Sequence, residues 1–198
     1  GPQFTAVSAV CYGFGTLYMF LKNGGNGKQL VLCDYDINGG EPVFLDIGNH
    51  HPVSLFGGWN HSAAIGSEGE VIFINRYSVI NSPNSPIAAV SLPDGEKASS
   101  VACCDDSVVV LSSNGRVFSS KIESNGVLKF SIVSELSDQE IICVSGTSSH
   151  FLAVSKIGIV FGRGSNYHGQ LGLRERTESV SSFTEISSLD RYEIREAY

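Results

Sequence analysis

Positive charge is scarce in this chain. Thirteen Lys and Arg stand against 20 Asp and Glu, for a formal net charge of −7, and no basic run exceeds two residues. Non-specific affinity for nucleic acid comes from clustered cations that neutralise phosphates, so a nucleic-acid partner is not expected. No apolar stretch approaches the roughly 18–20 residues of a membrane-spanning helix and no signal peptide is visible, so no membrane contact is expected and an intracellular, cytoplasmic or nuclear, location is. The five cysteines, at positions 11, 33, 103, 104 and 143, are odd in number and lack C-x-x-C spacing. They are expected to be buried free thiols in a reducing compartment. Cys103 and Cys104 are adjacent in an apolar strand and point to opposite faces, so at most one of them is expected in the core. G-x-S-x-G and H-E-x-x-H are both missing, and no group of acids and histidines converges at a fixed spacing. Enzymatic chemistry, a cofactor and a metal site are therefore not expected. No long 3.6-residue amphipathic pattern occurs either, which leaves an all-β class.

What the chain does contain is a repeat. His61-Ser-Ala-Ala-Ile-Gly-Ser-Glu-Gly69, Ser107-Val-Val-Val-Leu-Ser-Ser-Asn-Gly115 and His150-Phe-Leu-Ala-Val-Ser-Lys-Ile-Gly158 share one frame: a strand start, an apolar strand, and a glycine eight residues on. Val stands two residues after each glycine, and the glycines lie 46 and 43 residues apart. A fainter copy, with Gly24 in the glycine position, precedes them. Internal periodicity at this length decides the architecture before individual elements do. Each repeat glycine is expected at a hairpin turn with positive φ, where a side chain is costly. Gly24, Gly25 and Gly27 invite a phosphate-loop reading, but no Lys-Ser or Lys-Thr follows and strands flank them.

The fullest copy carries Gly146 and His150 ahead of its strand and the loop Gly164-Ser-Asn166-Tyr-His-Gly169-Gln170-Leu-Gly172 behind it; the second has Gly58-Trp-Asn-His61. With a small residue before His, an apolar strand, Gly, a second strand and a G-x-N-x-x-G-Q-L-G loop, the chain resembles the repeats of the regulator of chromosome condensation family. That resemblance implies a β-propeller, here a partial one of about four antiparallel blades. The single array is 3–198: blade 1 at 3–47, blade 2 at 48–93, blade 3 at 94–138, blade 4 at 139–189, and the start of a truncated fifth repeat at 190–198. Seven blades, the family's usual number, need a longer chain, so about half a propeller is expected. An end blade then lacks a neighbour, which implies self-association or pairing with the rest of a propeller.

The resemblance implies two functions. One is a non-enzymatic protein-interaction scaffold whose blade loops make the contacts; the other is guanine-nucleotide exchange on a Ran-like small GTPase. The framework residues are Gly58, His61, Gly69, Gly115, Gly146, His150, Gly158, Gly164, Asn166, Gly169, Gln170 and Gly172. Trp59, Tyr77, Tyr167 and His168 are the candidate partner-binding residues, because aromatic side chains on loops are frequent anchors. Gly164 to Gly172 is expected to be an ordered loop packed on a neighbouring repeat through Leu171. His61 and His150 are expected to cap or bridge turns, and His50, His51 and His168 to be loop residues without a partner pattern.

Overall fold

The computed structural model describes residues 4–13, 16–23, 28–34, 39, 41, 43–45, 47–48, 50–58, 61–75, 87, 89–123, 126–173, 177–190 and 192–197. They form four four-stranded sheets in which each strand pairs antiparallel with the next. The first sheet contains β1 (Phe4–Gly13), β2 (Thr16–Asn23), β3 (Lys28–Asp34) and β4 (Val43–Phe44). The second contains β5 (Pro52–Gly57), β6 (His61–Gly66), β7 (Val71–Asn75) and β8 (Ala89–Val90). The third is β9 (Ala98–Cys103), β10 (Ser107–Ser112), β11 (Val117–Lys121) and β12 (Ser131–Ile132). The fourth is β13 (Ile141–Gly146), β14 (His150–Ser155), β15 (Val160–Ser165) and β16 (Ser179–Glu185). The strands β1, β5, β9 and β13 adjoin one another from sheet to sheet. The sheets therefore radiate from an axis as partial-propeller blades, with β4, β8, β12 and β16 outermost.

The sequence frame maps onto this plan strand by strand. The strands β6, β10 and β14 begin at His61, Ser107 and His150 and turn through Gly69, Gly115 and Gly158 into β7, β11 and β15. All three glycines have positive φ, 84°, 78° and 86°. Gly69 and Gly115 also lie against the segment that opens the next blade, and Gly158 lies against the residues that follow the fourth. A Cβ on Gly69 would meet Lys97, one on Gly115 would meet Glu140 and Ile141, and one on Gly158 would meet Ile194. The contact is bonded as well: the Ala98 amide donates to the Gly69 carbonyl (2.9 Å) and the Ile141 amide to the Gly115 carbonyl (3.1 Å). The outer strands differ in extent: that of the third blade is only Ser131–Ile132, and that of the fourth is Ser179–Glu185.

Strand alternation sends side chains to both faces of a blade, and in the middle blades both faces are buried. Ala63, Ile65, Val71 and Phe73 meet Val101, Cys103, Val108, Val110 and Phe118 of the third blade. Their neighbours Ala64, Ile72 and Ile74 turn the other way, onto Leu45 and Ile47. The third blade repeats the pattern, with Ala102, Cys104, Val109, Leu111 and Val117 on Val144, Phe151, Ala153, Phe161 and Phe183. Burying each of the Val, Leu, Ile and Phe side chains contributes about 1.5–3 kcal/mol relative to leaving it exposed. This corrects the expectation for the adjacent cysteines. Cys103 and Cys104 do point to opposite faces, yet both are core residues, 1% and 3% exposed. Blade-on-blade stacking leaves no solvent face for the second one.

His50, expected to be a loop residue without a partner pattern, makes a polar contact with Glu70. Its Nδ1 lies 3.0 Å from Oε1 of the nearly buried Glu70. One blade on, Arg116 and Glu96 occupy the equivalent positions, one residue after and 19 before the repeat glycine, with Nη1 and Oε1 also 3.0 Å apart. The polarity is reversed, but the cross-strand tie is kept. The fourth blade replaces it with Lys156 Nζ and Glu140 Oε1, 2.9 Å apart. Burial would raise the Glu70 pKa, but hydrogen bonds from its own amide, from His50 and from the Glu68 amide outweigh burial and hold it below the usual range.

Candidate functional site

The two ends of each blade differ. At one end lie the tight glycine hairpins; at the other lie the longer connections, and the G-x-N-x-x-G-Q-L-G loop of the fourth blade is there. It leaves β15 at Gly164 (φ 110°), where a side chain would run into Ser149 and His150. Asn166, 3% exposed, then anchors it. The Asn166 side-chain carbonyl accepts from the Leu171 amide (3.0 Å), its backbone carbonyl from Gly169 (2.9 Å), and its amide donates to the Glu178 carbonyl (2.8 Å). Gln170 closes the turn, accepting from the His168 amide (2.9 Å) and donating to Ser165 Oγ (3.1 Å). Gly169 and Gly172 supply the remaining positive φ, 76° and 62°.

Leu171 pins this loop, 1% exposed. It packs where a side chain on Gly162 would stand, beside Ile186. Gly162 and Ile186 belong to the same blade, so the expectation of packing on a neighbouring repeat is corrected: the loop folds back on its own sheet. With its polar groups satisfied internally, the loop is a rigid mount. Its apex is Tyr167, 71% exposed, with His168 edge-on to it at a ring separation of 5.0 Å. Beside the pair runs an open groove of about 480 Å³, bounded by Asn166, Gly169, Leu173, Thr177 and Glu178 as well as the two rings. Thr177 and Glu178 immediately precede β16. Of the other candidate aromatics, Trp59 and Tyr77 lie outside the described residues.

The two repeat histidines sit at the same end and have different roles. His61 is buried on Phe73, with ring centroids 5.3 Å apart. Its Nε2 donates to the Asp105 carbonyl (3.1 Å), which ties the second blade to the β9–β10 turn of the third. Nδ1 is then the unprotonated nitrogen, and neither it nor the Ser62 hydroxyl has a partner among the described residues. Burial pushes the His61 pKa down, against the opposing pull of Asp105. The half-buried His150 makes a local bond instead, between Nδ1 and Thr147 Oγ1 at 2.9 Å, and burial lowers its pKa too. The third and fourth blades are joined by backbone and thiol: the Asp105 amide donates to the Ser148 carbonyl (2.9 Å) and Cys104 Sγ to the His150 carbonyl (3.3 Å). Burial raises the Cys104 thiol pKa far above its ordinary value, so it is a buried donor and not a nucleophile. Among the described residues, no group of three or more His, Cys, Asp or Glu is placed to hold a metal ion, and no helix is long and apolar enough to cross a membrane.

No protein-family model and no curated protein sequence matches the chain. Solved structures do. Human WBSCR16 superposes with a TM-score of 0.74 at 18% identity, over 91% of this chain and 54% of that one. Yeast RCC1 (Prp20), solved bound to Kap60, gives 0.69 at 14% identity over 93% and 50%. Prp20p of Saccharomyces cerevisiae, described with its binding properties to Gsp1p and histones, gives 0.69 at 13% over 93% and 52%. The chain thus spans about half the length of the solved chains it matches.

Proposed function

RCC1-like propeller blades being the fold, we propose that this chain is a protein-interaction scaffold that presents the loop end of its fourth blade to a partner protein. The observation that carries this is the Tyr167 mount: a large aromatic side chain is held 71% exposed on a loop whose own hydrogen bonds and buried Leu171 fix it in place. A preorganised aromatic loses little entropy on binding and is a frequent anchor. The reading is of a non-enzymatic scaffold: among the described residues that line the groove there is no nucleophile–base pair. The free thiols of Cys103, Cys104 and Cys143 favour a reducing, intracellular setting. Ile194 and Ala197 pack against the cluster of Val154, Val160 and Ile186, which supports reading 190–198 as the start of a further repeat. Pairing with further propeller blades is part of this reading.

A photo-cross-linking amino acid at position 167, compared with one at Asn114 on the opposite end, tests the proposal in extract of the source cells. A discrete cross-linked protein from position 167 and not from 114 is expected. Equal or absent cross-linking from both positions contradicts the docking surface. Exchange on a small GTPase is the second reading, favoured by the fold it shares with the structure described for its binding to Gsp1p. Accelerated release of fluorescent GDP from a Ran-like GTPase, lost on Tyr167→Ala, is its signature, and an unchanged release rate removes it.

A further inference from the structure

The groove beside Tyr167 has a composition that selects its occupant. It is lined by the exposed Tyr167 ring with His168 edge-on to it, by the half-buried Leu173, and by Thr177 and Glu178. The Asn166 amide binds the Glu178 backbone carbonyl at 2.8 Å, which holds the Glu178 backbone beside the loop that carries the rings. An aromatic ring, an aliphatic side chain and a carboxylate lining one open groove match a flat cation on an apolar stem. The guanidinium or ammonium stacks on the ring and pairs with the carboxylate, while the methylenes cover the leucine. The chain's net charge of −7 has the same sign of preference, and the exposed Asp105 and Asp106 lie at the same end of the blades, although Arg174 and Arg176 stand between Leu173 and Thr177 in sequence. An anionic segment would be repelled, and a purely apolar one would leave Glu178 and Thr177 facing it unpaired.

We propose that the Tyr167–Glu178 groove takes a Lys or Arg side chain of the partner, so that the scaffold recognises a basic segment. This rests on the loop end being the docking surface, and it adds the chemistry of what docks. An arginine is favoured over a lysine, since its planar head can stack on the ring and bind the carboxylate together.

The probe is N-acetyl-arginine methylamide, titrated into the ¹⁵N-labelled full chain at low salt and followed by amide shifts. The isosteric, uncharged citrulline derivative is the control. Saturable shifts at His168, Gly169 and Glu178 are expected, with Kd on the order of millimolar for a single side chain. Tyr167→Ala and Glu178→Gln should each weaken binding roughly fivefold or more, with the rest of the spectrum preserved as proof of folding. Equal shifts from the citrulline derivative, or variants that bind as the wild type does, would overturn the proposal. Repeating the titration in Arg174→Gln, Arg176→Gln protein removes two cations that the chain itself carries next to Leu173 and Thr177. Binding that appears only in that background would mean that the chain's own arginine fills the groove, and would also overturn it. If the arginine probe is silent while position 167 still cross-links a partner, the basic-segment inference fails and the docking surface stands; if both are silent, both fail.

Discussion

Replacing Gly69 with Ala should destabilise the protein by much more than the same change at Gly126, and the difference measures how firmly the blades are locked together. Gly126 has φ 73° with nothing within 4 Å of the added methyl, so Gly126→Ala carries only the left-handed backbone penalty of about 1–2 kcal/mol. Gly69 carries that penalty too, at φ 84°, but its Cβ would lie 2.6 Å from Lys97 Cβ and 2.9 Å from Lys97 Cα. Lys97 cannot retreat freely. The following Ala98 amide is bonded to the Gly69 carbonyl at 2.9 Å, and the Lys97 carbonyl accepts from the Ser113 amide at 2.8 Å. Relieving the clash therefore stretches both bonds, each worth about 0.5–1.5 kcal/mol, or leaves overpacking of about 1–3 kcal/mol. The sum for Gly69→Ala is about 2–5 kcal/mol. Urea unfolding at pH 7.5, with midpoints and slopes compared across wild type and both variants, reads the difference. If Gly69→Ala costs no more than Gly126→Ala, the repeat glycine is a turn residue only, and the claim that it seats the next blade is wrong.

Leu171→Ala should cost about 2–4 kcal/mol in the same assay and should release the loop, seen as faster amide exchange at His168 and Leu171; unchanged exchange would show that the loop is held without its apolar anchor. Stability should be flat between pH 7 and 8 and should fall as the pH drops below about 6.5. The unfolded chain protonates His61 and His150 at the ordinary value while the folded chain, whose values are lowered, resists. The lowered Glu70 value adds a further loss once the pH passes below the usual carboxylate range, since its stabilising contribution exists only while it is ionised. A urea midpoint that rises from pH 7 to 5.5 would contradict this. Of the three described thiols, the half-buried Cys143 should react with iodoacetamide before Cys103 or Cys104, as followed by peptide mass spectrometry; prior labelling of Cys104 would contradict its burial.

The parts of the fold that depend on counting along the chain were readable from sequence. The frame from strand start to glycine is a covalent spacing, and His61, Ser107 and His150 do start strands eight residues before their glycines. The parts that depend on what stacks against what were not. Alternation within Val101–Cys104 announces two faces but says nothing of a neighbour on each, and only radial stacking puts both cysteines in the core. Leu171 announced an anchored loop, while the choice between its own sheet and the next depended on Gly162 leaving a space beside Ile186. The His50–Glu70 and Glu96–Arg116 ties were present as polar pairs at the same separation along the chain, visible once the strand register is known. Glu178 escaped because it comes to the Tyr167 loop through a backbone bond from Asn166, a contact that no motif encodes.

The measurement that bears most directly on the interface is the affinity of the cross-linked partner for three versions of the full chain: wild type, Tyr167→Ala and Ile157→Asp. Ile157 is 76% exposed at the glycine-hairpin end of the same blade and serves as the control for apolar exposure alone. Tyr167→Ala should weaken binding tenfold or more, as expected for a loss of about 1.4 kcal/mol or greater at an anchor, and Ile157→Asp should leave it unchanged. The reverse pattern, with binding lost on Ile157→Asp and kept on Tyr167→Ala, would place the partner on the opposite end of the blades and contradict the account.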